Sequence, residues 1–330
     1  MRVWNSLRRS MMNKKLSTYL GILTLFTSCY RVPDQIDPQV SYALQDAHFQ
    51  NLSSGFPPLS SEEKESPWGI EYSIARAFAE ELDLYRAVST FKRAAILLDL
   101  SIESKIERGI EVEYDILLCY FLAKKYDSVI ESFEKSDLAH VDQSFPAYQD
   151  LLLVLHEAYR EMDNPEKQEK TIELIEKSFP VTSEELKIST AIRQGNLAMI
   201  DQIAGGFQQN SYLDNLLDCY AANKKSVAGA QALNALIPGA GYLYIGQKKS
   251  ALTAFLLNGL FITAAVQFFL HDHIAAGIIT TGFETGWYFG GIYGAGEEAK
   301  FYNEKLYERA ASIVLNEHQL FPALMLNHAF

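Results

Sequence analysis

From Trp68 to Pro180, apolar residues recur at steps of three and four, the spacing that gathers them on one face of a helix. Ala75, Phe78, Ala87, Phe91 and Ala94 stand at offsets 0, 3, 12, 16 and 19. Leu117, Tyr120, Val129, Phe133 and Ser136 repeat those offsets 42 residues later. A looser third pass starts 39 residues further on with His156, Tyr159, Gln168 and Ile172, and closes on Pro180. A compact early position lets two antiparallel helices approach, the aromatic one turn later fills the gap, and the second helix adds the Ala/Phe/Ala face. Further helices are expected from Thr182, over Asn196–Ala204 before Gly205-Gly206, and over Tyr212–Ala222. The pattern predicts an all-α repeat domain over residues 68–225. Ala75, Phe78, Ala87, Phe91, Ala94, Tyr120, Phe133 and Tyr159 are its packing positions.

The period changes after Lys224 and Lys225. Ser250–Leu270 is 21 residues without a charge, and Ile274–Gly296 is 23 residues with only Glu284 charged. Both runs have the length of a spanning helix, and the His271–His273 link makes them an antiparallel hairpin. In the second run Gly282, Gly286, Gly290 and Gly294 form a stripe on one face, suited to close helix packing and to a homo-oligomer. Trp287, Tyr288, Tyr293 and Tyr302 gather beyond it like an interfacial belt. Asn258 and Glu284 fall at similar depth, so a protonated Glu284 is expected to hydrogen-bond Asn258 and lock the hairpin; the alternative is an intramembrane carboxylate in a transport path. Residues 299–330 read as an amphipathic helix and an apolar tail. Residues 226–330 therefore form a membrane-associated region.

Ahead of the repeats, Pro33, Pro38, Pro57, Pro58 and Pro67 mark residues 29–67 as a linker, with a short helix around Val40–Phe49 and a capping box at Ser60 and Glu63. Residues 1–28 carry Lys14 and Lys15 before the apolar run Leu16–Phe26, too short to span a bilayer and of signal-peptide length. Cys29 follows Thr27 and Ser28.

Three resemblances attach to these patterns. Met12 to Cys29 resembles a bacterial lipoprotein signal, which implies lipidation of Cys29 and a cell-envelope location, although Phe26 replaces the usual leucine. The repeated offsets resemble the tetratricopeptide repeat, which implies an α-solenoid whose groove takes proteins or peptides. PGAGYLYIG, with Pro238, Gly239, Gly241 and Gly246, resembles a motif of small bacterial membrane proteins of unassigned function and implies a membrane-embedded helical hairpin.

Composition sharpens the division. The 330 residues carry 29 Lys and Arg against 41 Asp and Glu, a net charge of −12, which argues against a nucleic-acid partner. Residues 60–225 hold 18 basic and 31 acidic side chains, while residues 227–296 hold only Lys248, Lys249, Asp272 and Glu284. The three cysteines are too few for a disulfide framework, and Cys119 and Cys219 read as buried small apolar residues. No phosphate loop or nucleophile motif is present, so neither a catalytic residue nor a cofactor or metal is expected. His271 and His273 are the remaining metal-ligand candidates, for a metal-dependent hydrolase. Topology carries a conflict: Lys248, Lys249 and Lys300 favour cytoplasmic ends for the hairpin, whereas a lipidated Cys29 puts the repeats outside. The expectation is a non-enzymatic envelope scaffold or assembly factor that binds proteins and a membrane.

Overall fold

The computed structural model describes residues 31–42, 52–100, 106–206 and 211–330. Residues 1–28, Cys29 and most of the short helix expected at Val40–Phe49 lie outside the described residues. Among the described residues the fold is all-α, with a single isolated parallel bridge between Ser54 and Ala329. Contacts divide the chain into two units: Val40–Tyr212 with Ala311–Phe330, and Met1–Gln39 with Leu213–Ala310. The first is called the repeat unit below, the second the apolar unit.

In the repeat unit, α1 (Ser61–Glu65), α2 (Pro67–Glu80), α3 (Leu84–Asp99), α4 (Ile106–Leu122), α5 (Tyr126–Glu134), α6 (Tyr148–Glu161), α7 (Pro165–Ser178), α8 (Pro180–Arg193) and α9 (Leu197–Gly206) each pack on the next. The capping box opens α1: Glu63 N donates to Ser60 Oγ at 3.2 Å and Ser60 N to Glu63 Oε2 at 2.7 Å. Asp83 and Asn164 cap α3 and α7 through their side chains.

One turn recurs between helices. Leu82, Lys124, Asp163 and Gly195 take left-handed backbones with φ of 55°, 56°, 52° and 63°. Behind each, an amide reaches back five residues: Asp83 to Phe78, Lys125 to Tyr120 and Asn164 to Tyr159, each at 2.9 Å, and Asn196 to Ala191 at 3.0 Å. This is the six-to-one closure that satisfies the last carbonyls of a helix. Lys124 stands 42 residues after Leu82, and Asp163 stands 39 after Lys124. Those intervals equal the spacings of the sequence offsets, and the aromatic positions Phe78, Tyr120 and Tyr159 supply the accepting carbonyls. Gly195, 32 residues on, closes a fourth helix pair.

Ala75, Ala87, Phe91 and Ala94 are fully buried in the core of this unit, and Tyr159 is buried beside them. Phe78, Tyr120 and Phe133 pack on it half-buried. Pro180 departs from its expected packing place: it is exposed and opens α8, and Ile175 fills the core there. Cys119 is buried as expected.

The apolar unit holds α10 (Ser211–Asn223, from Leu213), α11 (Val227–Leu236), α12 (Ala240–Tyr244), α13 (Lys248–Leu270) and the 44-residue α14 (Ile274–Glu317, to Ala310). Leu213, Leu216 and Tyr220 form the buried stripe of α10. Cys219 lies off that stripe and is exposed, contrary to the sequence reading. Part of the expected linker is a strap: Val32 and Ile36 are buried, Asp37 N donates to Glu304 Oε1 at 3.0 Å and Gln39 N to Glu308 Oε1 at 2.8 Å. Asn303 is buried and pairs with Lys225 in both directions, accepting from its N at 2.7 Å and donating to its O at 2.8 Å.

Among the described residues, one helix is long and apolar enough to cross a membrane, α13. The second expected span, Ile274–Gly296, is the first half of α14, which does not break at Gly296 and is less apolar than α13. Its glycines, threonines and Glu284 dilute the apolar residues.

Candidate functional site

Two places gather the features that bear on function, one in each unit. In the apolar unit, α13 turns into α14 through Asp272, which takes φ 61° while His273 N closes on Phe268 O at 2.8 Å. Between the two helices lies an open groove of about 890 Å³. Tyr242, Lys249 and Glu298 line its polar part; Asn258, Gly282, Gly286 and Gly290 line the rest.

The PGAGYLYIG segment packs beside this groove. Gly239 has φ 92°, and a Cβ there would stand 2.3 Å from Ala251 O. A Cβ on Gly241 would stand 2.3 Å from Ala230 O and 2.8 Å from Ala295 Cβ, so α11, α12 and α14 meet where only glycine fits. Asn234, buried, accepts from Gly239 N at 2.8 Å and braces the turn after Pro238. Gly246, φ 88°, ends α12 by the same closure seen in the repeats, with Gln247 N on Tyr242 O at 2.9 Å. Tyr288 hydroxyl donates to Ala235 O.

The glycine stripe divides. Gly294 faces Tyr242 Oη, 2.6 Å from where its Cβ would be. A Cβ on Gly282, Gly286 or Gly290 would meet nothing within 4 Å. Among the described residues, the close packing expected of the stripe is therefore made only at Gly294. The Asn258–Glu284 hydrogen bond is also absent. Asn258 Nδ2 donates to Ala254 O at 2.6 Å, as a side chain turned back on its own helix, and its Oδ1 has no partner. Both Glu284 carboxyl oxygens are buried without a partner among the described residues.

In the repeat unit the features are charged, and periodicity did not mark them. Buried Glu157 receives Arg193 in a fork, 2.9 and 2.7 Å, and Arg160 at 3.0 and 3.0 Å. Burial pushes the Glu157 carboxyl up, but the hydrogen bonds and charges of Arg193 and then Arg160 outweigh it and hold it at about 2. Arg193 also lies over the Phe321 ring, 6.0 Å from its centroid. Arg108 grips Glu63 at 3.1 Å, Glu111 at 2.5 Å and the carbonyls of Pro57 and Pro58 at 2.9 and 3.2 Å.

Tyr72 hydroxyl lies 2.7 Å from Glu111 Oε1 and 2.8 Å from Asp115 Oδ2. One phenolic proton cannot serve both carboxylates, so one carboxyl carries its own. Asp115 is that group: burial raises it to about 8, against the opposing Tyr72 hydrogen bond and with the Glu111 charge adding to the rise.

Residues 320–330 lie in the same unit. Leu320, Phe321, Ala323, Leu324, Leu326, Ala329 and Phe330 are buried. Asn327 N and His328 N donate to the Asp150 carboxylate at 3.0 and 2.9 Å, Asn327 Nδ2 lies 3.4 Å from Oδ1, and His328 Nδ1 stands 3.0 Å from Oδ2. The sequence carries no signal for this: Asp150 reads as one acidic residue in the first turn of α6.

His271 and His273 gather no metal set. His271 Nδ1 is 2.9 Å from Gln267 O, and the His273 ring meets Phe268 edge-on at 6.5 Å. Among the described residues no group of three or more His, Cys, Asp or Glu is placed to hold a metal ion. Set against protein-family models, curated proteins and solved structures, the chain matches none.

Proposed function

We propose that the chain is a bacterial envelope lipoprotein that works as a scaffold or assembly factor, without chemistry of its own. A tetratricopeptide-like solenoid, the repeat unit, binds protein or peptide partners. A hairpin of α13 and the first half of α14 lies in a membrane, and lipid on Cys29 supplies a second attachment. The observation that carries this reading is α13: only 11% of its most apolar stretch is buried, where a soluble core helix would be covered. Leu252, Phe255, Leu256, Leu260 and Val266 stand in the open, a surface that hydrocarbon covers at no cost. The recurrent turns support the solenoid, because identical closures stack helix pairs in one sense.

Three measurements test it. Alkaline carbonate should leave the Cys29→Ala chain in the membrane pellet, held by the hairpin; full release into the supernatant defeats the membrane reading. A topology reporter inserted at Asp272 should give one compartment reproducibly and resolves the lysine conflict. Fatty-acid labelling should fall to background in Cys29→Ala.

A second reading, a transport or membrane-insertion component, is favoured by one observation, the unpartnered Glu284 carboxyl. It requires Glu284→Gln to abolish flux while assembly persists. A metal-dependent hydrolase at His271 and His273 has no third ligand beside it among the described residues.

A further inference from the structure

We propose that the repeat unit carries an exchangeable peptide-binding site, that residues 320–330 are its ligand, and that a second copy of the chain can donate that segment in trans. The proposal deepens the scaffold reading and rests on it for the role of the repeat unit.

The segment is held as a ligand is held. It has no helix of its own beyond the 3-10 turn Pro322–Leu324. Its fixing points follow one another along its length. Phe321 lies against Tyr42, ring centroids 4.8 Å apart, and under Arg193. Phe330 is buried and stacks on Phe91 at 6.3 Å. Between these two rings, three consecutive amides are read: Asn327 N and His328 N by Asp150, and Ala329 N by Ser53 O at 3.2 Å. Recognition through main-chain amides, with side-chain pockets at either end, is how extended peptides are bound.

Asp150 explains why the site does not stand open. Its side chain is fully buried, and each of its hydrogen bonds comes from Asn327 or His328. Without the segment, a buried carboxylate would lose every donor, which is costly in a low-dielectric interior. An occupant with the same two amides removes that cost, and the sequence known to fit is this chain's own. The tether is suited to exchange. α14 ends at Glu317, and Gln319 turns the chain out with φ 52° while Leu320 N closes on Leu315 O at 2.8 Å. A backbone change at such an element end redirects everything after it, the route by which identical segments swap between copies.

The test uses the full chain in detergent micelles and a fluorescein-labelled peptide of residues 320–330. His328→Ala weakens only the grip of the resident segment, on a half-exposed side chain. It should raise peptide affinity about five- to ten-fold over the unaltered chain, the worth of one charge-assisted hydrogen bond. Asp150→Asn in that background should lower it again at least about ten-fold. Benzoylphenylalanine at position 330 of a tagged copy should cross-link to untagged copies near Phe91. The proposal is overturned if the helical His328→Ala chain does not take up peptide, if Asp150→Asn leaves the affinity unchanged, or if every cross-link stays within one chain. Should Asp150→Asn unfold, the His328→Ala and cross-linking results decide alone. Carbonate extraction is independent of all three, so loss of the membrane reading and loss of the peptide site are distinguishable.

Discussion

In the repeat unit, the buried carboxylate of Glu157 meets two guanidiniums, that of Glu111 meets Arg108 and Tyr72, and that of Asp150 meets four donors of residues 327 and 328. In the apolar unit, the Glu284 carboxyl and the Asn258 carbonyl oxygen are covered by their neighbours and have no hydrogen-bond partner among the described residues. Among its described residues, the buried atoms that the repeat unit leaves unpartnered are uncharged, the hydroxyls of Tyr114, Ser183 and Ser189 and a ring nitrogen of His156, whose pKa burial lowers to about 4. The contrast teaches which solvent each unit was built for. A unit folded in water completes its own charge pairs. One that leaves a carboxyl and a row of bare glycines unanswered fits the proposed setting in lipid or against another chain.

The largest effect should come from breaking a completed pair. Arg193→Ala strands Glu157 with Arg160 alone and should cost about 3–5 kcal/mol in a melt followed by circular dichroism. A loss below about 1 kcal/mol would mean that water reaches Glu157 and that the two units differ less than their contacts suggest.

A second effect is a pH dependence carried by the repeat unit. Asp115 has a folded-state pKa of about 8, above its ordinary value of 3.8, with Tyr72, Glu111 and Arg76 around it. The native state holds a proton that the unfolded chain releases. Its contribution is therefore complete below pH 4 and is lost as pH rises to about 8, by up to about 1.4 kcal/mol per pH unit. Glu157 runs the opposite way: held at about 2, it loses its contribution as pH falls below 4.5. Stability should peak between these ranges, and Asp115→Asn should flatten the alkaline side. An unchanged alkaline slope in that variant removes the assignment of the proton to Asp115.

Two glycine substitutions give the smaller effects and separate filled from open faces. Gly241→Ala should destabilise by about 1–3 kcal/mol, since its Cβ would strike Ala230 O at 2.3 Å. Gly286→Ala should be neutral or should stabilise by up to about 1 kcal/mol, because alanine favours a helix and nothing stands within 4 Å. If Gly286→Ala instead lowers stability or changes the oligomeric state, another helix occupies the groove and the stripe is an interface.

Legibility followed periodicity. The helix pairs were readable because Ala75 and Phe78, Leu117 and Tyr120, His156 and Tyr159 sit just ahead of each turn and carry the pattern. The turns themselves were not, since Leu82, Lys124 and Asp163 hold left-handed backbones without glycine, through the carbonyls they close on. The strap at 31–39 and the segment at 320–330 have no period; their order comes from contacts with residues far along the chain, which a local pattern does not encode. The glycine stripe shows the converse. Its spacing is plain, but a flat helix face is an offer of packing, and among the described residues only Gly294 takes it up.

The chain holds three tryptophans, Trp4 in the expected leader, Trp68 and Trp287. Trp68 is 7% exposed, with its ring 6.3 Å from Tyr72 and so one side chain away from the Asp115 proton. Trp287 is 49% exposed and lines the groove of the apolar unit. With Trp4 replaced by phenylalanine, each unit therefore contains its own optical reporter. Blue-shifted emission shielded from iodide would follow the titration and melting of the repeats. Emission from Trp287, quenched by brominated lipid under the proposed membrane setting, would follow the apolar unit, so one cuvette reads both units at once.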